Sequence, residues 1–548
     1  MEEHSLRTLE YHKVLDLLTA QTACSLGAEL ALRARPLSDL DAVKRMQRET
    51  TEAVALLERR GNVPLGGITD VRPLLERAVI GGMLEPTDLL DIASTAESGR
   101  QLKAFLQKAG LDLIPTLMPY ADQIGQFVDL ENAIRRAIAS NGMLHDNASP
   151  ELARVRSRRR TTEQRLIDRL NAYISGSQRT MLQDPVIVQR DDRSCLAVKA
   201  EHRGAFGGIV HDTSSSGATL FVEPAPVVEL GNEIRELDAA ERRETHRILM
   251  DLSGRAGRAS GGLIATLSVL ARIDLIVARG RLAQIQRAVE PTWNERGAVR
   301  LVSARHPLIP ADRVVAIDVV AGEPNENQIV IITGPNTGGK TATLKTVGLL
   351  TLMAQTGLHA PAARAEMNCF HEVFADIGDE QSIQHSLSTF SGHITTIARF
   401  VANVQPNCLV LLDELGAGTD PAEGSSLAIA LLEHFRERGA RVIATSHYGE
   451  LKTYAFTTSG VQNASVEFDQ ATLRPTYRVL QGVPGSSNAY AIAGRLGIPE
   501  SVIHTAQATQ TGGDASVEIM QELELARRQA LDDRAKSESL RVDAQRLH

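Results

Sequence analysis

One short glycine-rich segment, Gly334-Pro-Asn-Thr-Gly-Gly-Lys-Thr341, limits the possible folds of this chain more than any other feature. An uninterrupted apolar run at 329–332 precedes it, and a helical pattern follows it to about Gln355. In a strand–loop–helix unit, glycines let backbone N–H groups curl around phosphate oxygens, and the helix N-terminus favours negative charge. The sequence therefore predicts a phosphate-binding loop in an α/β domain with a mostly parallel sheet.

The loop residues are the first candidate ligands of a nucleotide. The candidates are Gly334, Pro335, Asn336, Thr337, Gly338, Gly339, Lys340 and Thr341. We expect Lys340 to reach the β- and γ-phosphates of ATP and to take part in catalysis, and Thr341 to offer its hydroxyl to Mg²⁺. ATP and Mg²⁺ are therefore the expected cofactors.

An acidic pair, Asp413-Glu414, follows the apolar run 408–412. Parallel strands deliver such residues to the carboxyl edge of the sheet, where ligands of open α/β folds bind. We expect Asp413 to hold the metal, and Glu414 to orient or deprotonate the water that attacks the phosphate. An acidic pair at this position can also cap a helix. The shared sheet favours the hydrolytic interpretation.

Two further sites carry predictions with open alternatives. His447 follows the apolar run 442–445 and is expected to contact the γ-phosphate or the attacking water, although a lone histidine is usually structural. Ser388 belongs to a Ser/Thr cluster that starts an amphipathic helix. Such a cluster is ordinarily a cap, but a partner subunit could also offer it to a γ-phosphate. His385 and His393 have no acidic or thiol partner in the sequence pattern, so we expect no zinc site there.

The rest of the chain reads as long helices around a small β element. Residues 1 to about 150 look like a helical scaffold, 151–175 like one long helix, and 181–223 like short strands before a second long helix. We predict a multidomain protein with four segments. They are a helical core or lever (1–150), long helices with a β insert (151–294), an α/β P-loop domain (295–511) and the start of a truncated coiled coil (512–548).

An arginine-rich helical face lies between residues 154 and 169, which hold seven arginines against Glu163 and Asp168. The candidates for contact with nucleic acid are Arg154, Arg158, Arg165 and Arg169. Such a face can bind phosphates, or it can be the solvated side of a coil paired with the acidic helix 227–252. The sequence leaves both open.

Composition restricts partners and location. The 548 residues hold 59 Lys and Arg against 67 Asp and Glu, a net charge of −8, so contact with nucleic acid requires a local basic patch. We see no run of about 18 apolar residues, which predicts no membrane span. The four cysteines lie far apart, without disulfide or metal spacing, which favours a reducing cytoplasm.

Together these motifs resemble the ATPase of the MutS family. The resemblance covers about 295–510 and rests on the glycine-rich loop, Ser388-Thr-Phe390, Asp413-Glu414 with the following Gly-Ala-Gly-Thr-Asp420, Ser446-His-Tyr448, and Arg305-His-Pro307. Segments 208–224, 378–382 and 446–452 look like the second bacterial branch, MutS-II. Phe221-Val-Glu223 matches by letter the wedge of mismatch-reading members, but it lies in a predicted strand, so we interpret it as structural. Too few residues precede Gly334 for the mismatch-reading domains.

The resemblance implies a fuller function. Members of this branch are homodimers with composite ATP sites, so Ser388 would complete the partner's site. The branch is linked to splitting collided ribosomes and to suppressing homologous recombination, which implies rRNA or branched DNA as partners. Its endonuclease activity belongs to a C-terminal Smr domain that we do not expect in this sequence. The alternative is an ATP-gated DNA-binding and assembly module of the mismatch-repair type. For the adenine, Tyr448, His306 and segment 314–317 are candidates only.

Overall fold

The structure is a computed structural model that describes residues 1–323, 327–334, 338–378, 389–469, 474–483, 490, 493–494 and 497–509. Pro335, Asn336, Thr337, Ser388 and the predicted coiled coil lie outside the described residues. The chain divides into two compact units. The first contains Met1–Val63, Phe105–Ala121 and Ala271–His548, and the second contains Pro64–Ala104 and Asp122–Leu270. The four segment boundaries drawn from the sequence stay predictions.

The N-terminal part of the chain is helical, as predicted. Its helices are α1 (Glu3–Thr8), α2 (Tyr11–Thr19), α3 (Ser25–Leu32), α4 (Leu40–Arg60), α5 (Arg72–Val79), α6 (Pro86–Ala109), α7 (Met118–Gln123) and α8 (Val128–Ala137). The side chains of Leu6 in α1, of Leu9 directly after α1 and of Leu18 in α2 are buried in the core of the first unit, together with residues of its large sheet. The first helices of the chain therefore cover one face of that sheet.

The second unit holds the predicted small β element. The elements in this stretch are α9 (Pro150–Ser175), β1 (Leu182–Arg190), β2 (Arg193–Lys199), α10 (Arg203–Phe206), β3 (Ile209–Thr213), β4 (Thr219–Glu223) and α11 (Ala225–Gln286). Ser149 caps α9 by accepting the N–H of Leu152 at 3.0 Å, and Pro150 opens the helix. The strands form an antiparallel sheet in the order β1-β2-β4-β3. Asp191 and Asp192 turn the chain between β1 and β2 with positive φ.

Helix α11 is much longer than its sequence pattern indicated, with 62 residues. It also corrects one expectation, because it contains an 18-residue window that is long and apolar enough to cross a membrane by length and composition. Since 61% of that window is buried inside the protein, its apolar side chains already have protein partners. A buried core helix meets the same criterion, so the window is weak evidence for a membrane span.

The remaining elements belong to the first unit. They are β5 (Thr292–Asn294), β6 (Val299–Ala304), β7 (Ile317–Ala321), β8 (Ile329–Thr333), α12 (Lys340–Gln355), β9 (Arg364–Asn368), β10 (Glu372–Asp376), α13 (Thr389–Asn403), β11 (Cys408–Leu412), α14 (Pro421–Glu437), β12 (Arg441–Thr445), α15 (Gly449–Thr457), β13 (Val461–Asp469), β14 (Arg474–Gln481) and α16 (Glu500–Thr509). They build a six-stranded sheet, β10-β11-β12-β8-β13-β14, and a four-stranded sheet, β5-β9-β6-β7.

The six-stranded sheet is parallel except for β14 at its edge. Both of its faces are buried, which explains why its central strands read as uninterrupted apolar runs. In β8, Val330 and Ile332 pack on the side of α12, while Ile329 and Ile331 pack on the side of α13, α14 and α15. The α/β fold predicted from the glycine-rich loop is confirmed here, and all five parallel strands end at one edge.

Candidate functional site

The glycine-rich loop connects β8 to α12 at the carboxyl edge of the sheet, and α12 ends at Gln355 as predicted. Two of its glycines have no room for a side chain. Gly334 has φ 130°, and a Cβ atom there would lie 2.8 Å from Val466 Cγ2. Gly339 has φ 93°, and its Cβ would lie 2.7 Å from the ring of Tyr477. The described part of the loop therefore needs glycine for both its backbone conformation and its close packing.

Lys340 is the first residue of α12 and is nearly completely buried. Its Nζ donates to the carbonyl oxygen of Gly334 at 2.6 Å, so the ammonium lies across the loop. Burial lowers the pKa of Lys340, and the nearby Glu414 and Asp413 carboxylates partly oppose that shift. An ammonium in this position can pair with a phosphate group held by the loop.

Asp413 lies beside the loop, as the sequence predicted. Its Oδ2 accepts the hydroxyl of Thr341 at 2.7 Å, and its Oδ1 accepts the hydroxyl of Thr445 at 2.5 Å. The predicted metal ligands Thr341 and Asp413 therefore touch each other. A hydroxyl and a carboxylate oxygen are the hard ligands that Mg²⁺ prefers, so these residues fit a magnesium ion that is also bound to phosphate.

Thr445 is a residue that the sequence analysis did not select. It is the last residue of β12 and is completely buried. Besides donating to Asp413, its Oγ1 accepts the backbone N–H of Glu414 at 2.8 Å. One hydroxyl thus holds both members of the acidic pair. The signal in the sequence that could have identified Thr445 is its place at the end of an apolar run, one residue before Ser446-His447.

Replacing Thr445 with valine removes this hydroxyl at nearly constant volume. It leaves Asp413 Oδ1 and the Glu414 N–H without their partner, which costs about 1–3 kcal/mol of unfolding free energy for buried groups. We expect Thr445→Val to lower the urea midpoint and the rate of ATP hydrolysis, and Thr445→Ser to preserve both. Equal rates and midpoints for wild type and Thr445→Val would contradict this role.

Glu414 has the left-handed backbone conformation, with φ 47°. A non-glycine residue rarely adopts it, because the conformation costs of the order of 1 kcal/mol or more, and such strain tends to occur at functional sites. The chain turns at this residue, since the N–H of Ala417 donates to the Glu414 carbonyl at 3.0 Å. The strain is consistent with the hydrolytic role predicted for its carboxylate.

His447 follows β12 and is exposed, with its ring centroid 4.5 Å from that of Tyr448. Its N-terminal neighbour Ser446 donates its N–H to the carbonyl oxygen of Ile332 in β8 at 3.2 Å, so His447 lies near the end of the strand that leads into the loop. Its contact with phosphate stays a prediction. Tyr448 donates its hydroxyl to the carbonyl oxygen of Gly416 at 3.0 Å and holds the turn after Glu414.

A cavity of about 230 Å³ opens beside the start of α12. Its lining includes Gly339, His306, Val314 and the ring of Tyr477. Burial lowers the pKa of His306 to about 4, so its ring is neutral at pH 7, and its Nδ1 accepts the N–H of Leu308 at 3.3 Å. Two of the three adenine candidates from the sequence, His306 and segment 314–317, thus contribute to one cavity. Tyr448 is not among its lining residues.

The sequence of this chain is similar to those of known proteins. The family description "MutS domain V" matches residues 330–512. Proteins called "Endonuclease MutS2" are 49% identical over 524 residues in Halalkalibacterium halodurans, 47% over 555 residues in Geobacillus thermodenitrificans and 44% over 549 residues in Bacillus velezensis. The alignments cover 94%, 100% and 99% of this chain and 66%, 70% and 70% of those relatives. The chain belongs to the MutS2 branch of the MutS family.

The MutS2 relatives are longer than the matched region, and this chain spans about two thirds of their length. They carry the name of an endonuclease. Within the part of the chain that the structure describes, no group of three or more His, Cys, Asp or Glu side chains could hold a metal ion. All four cysteines are buried thiols without a disulfide.

Part of the arginine face of this MutS2 chain is paired with acids of α11. Arg158 Nη2 lies 2.6 Å from Glu233 Oε1, and Arg159 Nε lies 2.6 Å from Asp238 Oδ1. Arg154 pairs with Glu151 in its own helix at 2.8 Å. These contacts fit the coil-pairing interpretation. Arg165 and Arg169 are exposed, and neither has a carboxylate within ion-pair distance among the described residues.

Phe221-Val-Glu223 lies in β4, inside the small sheet. The Glu223 side chain is 1% exposed and forms ion pairs with Arg193 at 3.2 Å and with His211 at 2.8 Å. A buried carboxylate held by two partners is not available to probe a base pair. The structural interpretation given to this match in the sequence analysis fits these contacts.

Proposed function

We propose that this MutS2 chain is a Mg²⁺-dependent ATP hydrolase that acts as a homodimeric, cytoplasmic clamp on nucleic acid or ribosomes. One observation carries the proposal: the hydroxyl of Thr341 meets the Asp413 carboxylate at 2.7 Å, next to Lys340, at the carboxyl edge of a parallel sheet. P-loop hydrolysis needs at least a phosphate-binding loop and a carboxylate that can hold the same metal ion as the loop.

The proposed roles follow from the position of each group. The loop N–H groups and Lys340 bind the phosphates, Thr341 and Asp413 hold the magnesium ion, and Glu414 removes a proton from the attacking water. A Mg²⁺ ion held by Thr341 and Asp413 would neutralise negative charge on the bound phosphates. His447 contacts the γ-phosphate, and the cavity lined by His306 and Tyr477 takes the adenine ring.

The second half of each site comes from the partner chain in this proposal. Ser388 of one subunit binds the γ-phosphate held by the other, so the pair closes when ATP is bound. ATP favours closure only as far as it binds the closed state more tightly than the open one. The long helices around the small sheet then change the grip on the substrate, which we propose to be rRNA on collided ribosomes or branched DNA.

Turnover and assembly together test the proposal. We would measure ATP hydrolysis with Mg²⁺ and with excess EDTA, and the sedimentation of the protein with ATP, ADP and no nucleotide. Metal-dependent turnover with an ATP-specific dimer is expected. Hydrolysis by a species that stays monomeric under every condition would overturn the dimeric site.

The alternative function is an ATP-gated assembly module on branched DNA, in which a further domain acts on the DNA. The MutS2 relatives are named endonucleases, and we place any nuclease activity outside the ATPase site. Crosslinking and sequencing of the nucleic acid bound in cells, with hydrolysis blocked, separates the two. Sequencing reads concentrated on rRNA would favour action on the ribosome, and reads concentrated on DNA would favour the assembly module.

Arg165 and Arg169 give a direct test of nucleic-acid binding. We expect Arg165→Glu with Arg169→Glu to weaken binding and to reduce the slope of log K against log salt by about 0.7–0.9 for each phosphate that is no longer neutralised. The matched control is Arg158→Glu, which exchanges an ion pair with Glu233 for repulsion and acts on stability. An unchanged salt slope in the double variant would remove both residues from the interface.

A further inference from the structure

Helix α12 connects the phosphate-binding loop to a set of contacts far from it. The helix begins at Lys340 and ends at Gln355, so its 16 residues span about 24 Å at the usual rise per residue. Nearly all of its side chains are buried. Because a close-packed interior transmits a displacement instead of absorbing it, a shift at Lys340 should reach the far end of the helix.

Two side chains of α4 hold this far end. Gln47 Nε2 donates to the carbonyl oxygens of Ala354 and Leu358, at 2.8 Å each, and Thr50 Oγ1 donates to the carbonyl oxygen of Gly357 at 2.6 Å. The last carbonyls of a helix have no partner within the helix. Since Gln47 and Thr50 are completely buried, no water replaces them, and the end of α12 is fixed to α4.

The turn that ends α12 also contacts α2 and α11. Gly357 has φ 82°, and a Cβ atom there would lie 2.6 Å from Met46 Cβ in α4 and 3.0 Å from Arg279 Nη1 in α11. The hydroxyl oxygens of Tyr11 in α2 and of Thr356 lie 2.7 Å apart. The turn therefore has no space in which to move without displacing α4 and α11.

A buried carboxylate joins α4 to α11. Glu49 is completely buried, and its Oε2 lies 3.2 Å from Arg272 Nη2 and 3.7 Å from Arg279 Nη1. Its Oε1 accepts the hydroxyl of Tyr120 at 2.7 Å. Because separating a buried ion pair is costly, α4 and this part of α11 should move together. Residues 271–286 of α11 belong to the first compact unit, and the rest of this long helix belongs to the second.

Binding of a phosphate would change the contact at the start of α12. Lys340 Nζ donates to the carbonyl oxygen of Gly334 at 2.6 Å. A phosphate group in the loop competes for this ammonium, because a hydrogen bond between two charged groups is stronger than one to a neutral carbonyl. The two states of the loop therefore differ in the contact that holds the first residue of α12.

We propose that Gln47 couples nucleotide binding to the long helix α11, by holding the far end of α12 to α4, which Glu49 joins to α11. The inference rests on the ATP site proposed above and adds a route by which its occupancy reaches the long helices. Coupling of this kind is reciprocal, so a change in the position of α4 and α11 alters the affinity for ATP by the same factor.

Amide hydrogen exchange of the full chain, measured by mass spectrometry, tests the coupling. In wild type, a non-hydrolysable ATP analogue with Mg²⁺ should change the exchange rates of α4 and of residues 271–286 by about fivefold or more. Adenosine has no phosphate to reach Lys340 and should leave those rates unchanged. An equal response to adenosine would contradict the route through Lys340.

Gln47→Met removes both hydrogen bonds with a side chain of similar length and volume. The analogue should still bind and protect residues 338–343, but the response of residues 271–286 should fall below about twofold, because the far end of α12 is no longer held. Gln284→Met is the matched control, since it makes the same change at an exposed position of α11 and should keep the wild-type response.

Thr50→Val is the second variant, and it removes the hydroxyl that binds Gly357 at nearly constant volume. It should also reduce the response of residues 271–286, and it decides the question if Gln47→Met does not fold. An unchanged response in Thr50→Val would then overturn the coupling.

A purely structural role for Gln47 would give a different result. Gln47→Met would speed exchange at the end of α12 equally with and without the analogue, and the response of residues 271–286 would persist, which overturns the coupling. Protection of residues 338–343 in wild type without a response at 271–286 would also overturn it, while the proposed ATP site would stand. If the analogue protects neither segment, the ATP site and the coupling fail together.

Discussion

Substitution of Glu414 with glutamine is expected to lower the rate of ATP hydrolysis by about 10²- to 10⁴-fold and to leave ATP binding unchanged. The amide has the size and shape of the carboxylate but cannot take a proton from water. The strained backbone at φ 47° should persist, because it is set by the turn around Glu414 and by the N–H contact to Thr445. Single-turnover hydrolysis and equilibrium binding of a fluorescent ATP analogue measure the two effects separately.

Glu423→Gln is the matched control for this experiment. Glu423 is exposed in the first turn of α14, so the same chemical change there should leave turnover at the wild-type rate. Because blocked hydrolysis preserves ATP, the Glu414→Gln protein should also accumulate as an ATP-bound dimer in sedimentation. Wild-type turnover in Glu414→Gln would remove this carboxylate from the reaction, whatever the state of assembly.

The core of the candidate site could be predicted because each motif has a local physical cause. An apolar run of five residues that is buried on both sides makes a parallel strand, and whatever follows it emerges at the carboxyl edge. The pattern alone therefore placed Lys340, Asp413 and His447 at one edge. The start of α14 also has a local cause, since Asp420 accepts the N–H groups of Ala422 and Glu423 ahead of a helix opened by proline.

Contacts between distant parts of the chain could not be predicted in this way. The burial of α1 and α2 against the large sheet has no local signal, because their apolar spacing fits any partner surface. The same holds for Glu49 in α4 and Arg279 in α11, which are both buried and lie 3.7 Å apart. Burial lowers the pKa of Arg279 to about 10, and nothing in its sequence neighbourhood indicates that burial.

The length of α11 shows a different limit. Its pattern changes from a polar coil face near residue 227 to a nearly all-apolar stretch, because its surroundings change along its length. The constant apolar stripe in the sequence therefore indicated a helix only over 227–252. The arginine face shows a related limit, because a count of charges in the sequence does not show which arginines form ion pairs. Seven arginines between 154 and 169 suggested a basic surface, yet Arg158 and Arg159 are neutralised by acids some 75–79 residues away.

A second large effect is expected when two inactive variants are mixed, because activity should then be recovered. In Lys340→Ala, both loops of the homodimer lose the ammonium that pairs with the phosphates, and in Ser388→Ala both lose the residue proposed to act in trans. Each homodimer should be nearly inactive. A mixed dimer contains one site in which an intact Lys340 faces an intact Ser388. Random pairing makes about half of the dimers mixed, so an equimolar mixture should recover about a quarter of the wild-type rate.

The control for this recovery places both substitutions on one chain. Mixed with wild type, the double variant Lys340→Ala/Ser388→Ala forms pairs in which each site has one defective half. The wild-type loop faces the Ser388→Ala substitution of its partner, and the wild-type Ser388 faces a loop without its lysine. Those pairs should be inactive, whereas the two single variants complement each other. If each site were enclosed by its own chain, the opposite results would follow. The two single variants would show no recovery of activity when they are mixed, and every wild-type subunit in the control mixture would be fully active. The ratio of the two mixtures therefore tells whether ATP is held by one chain or by two.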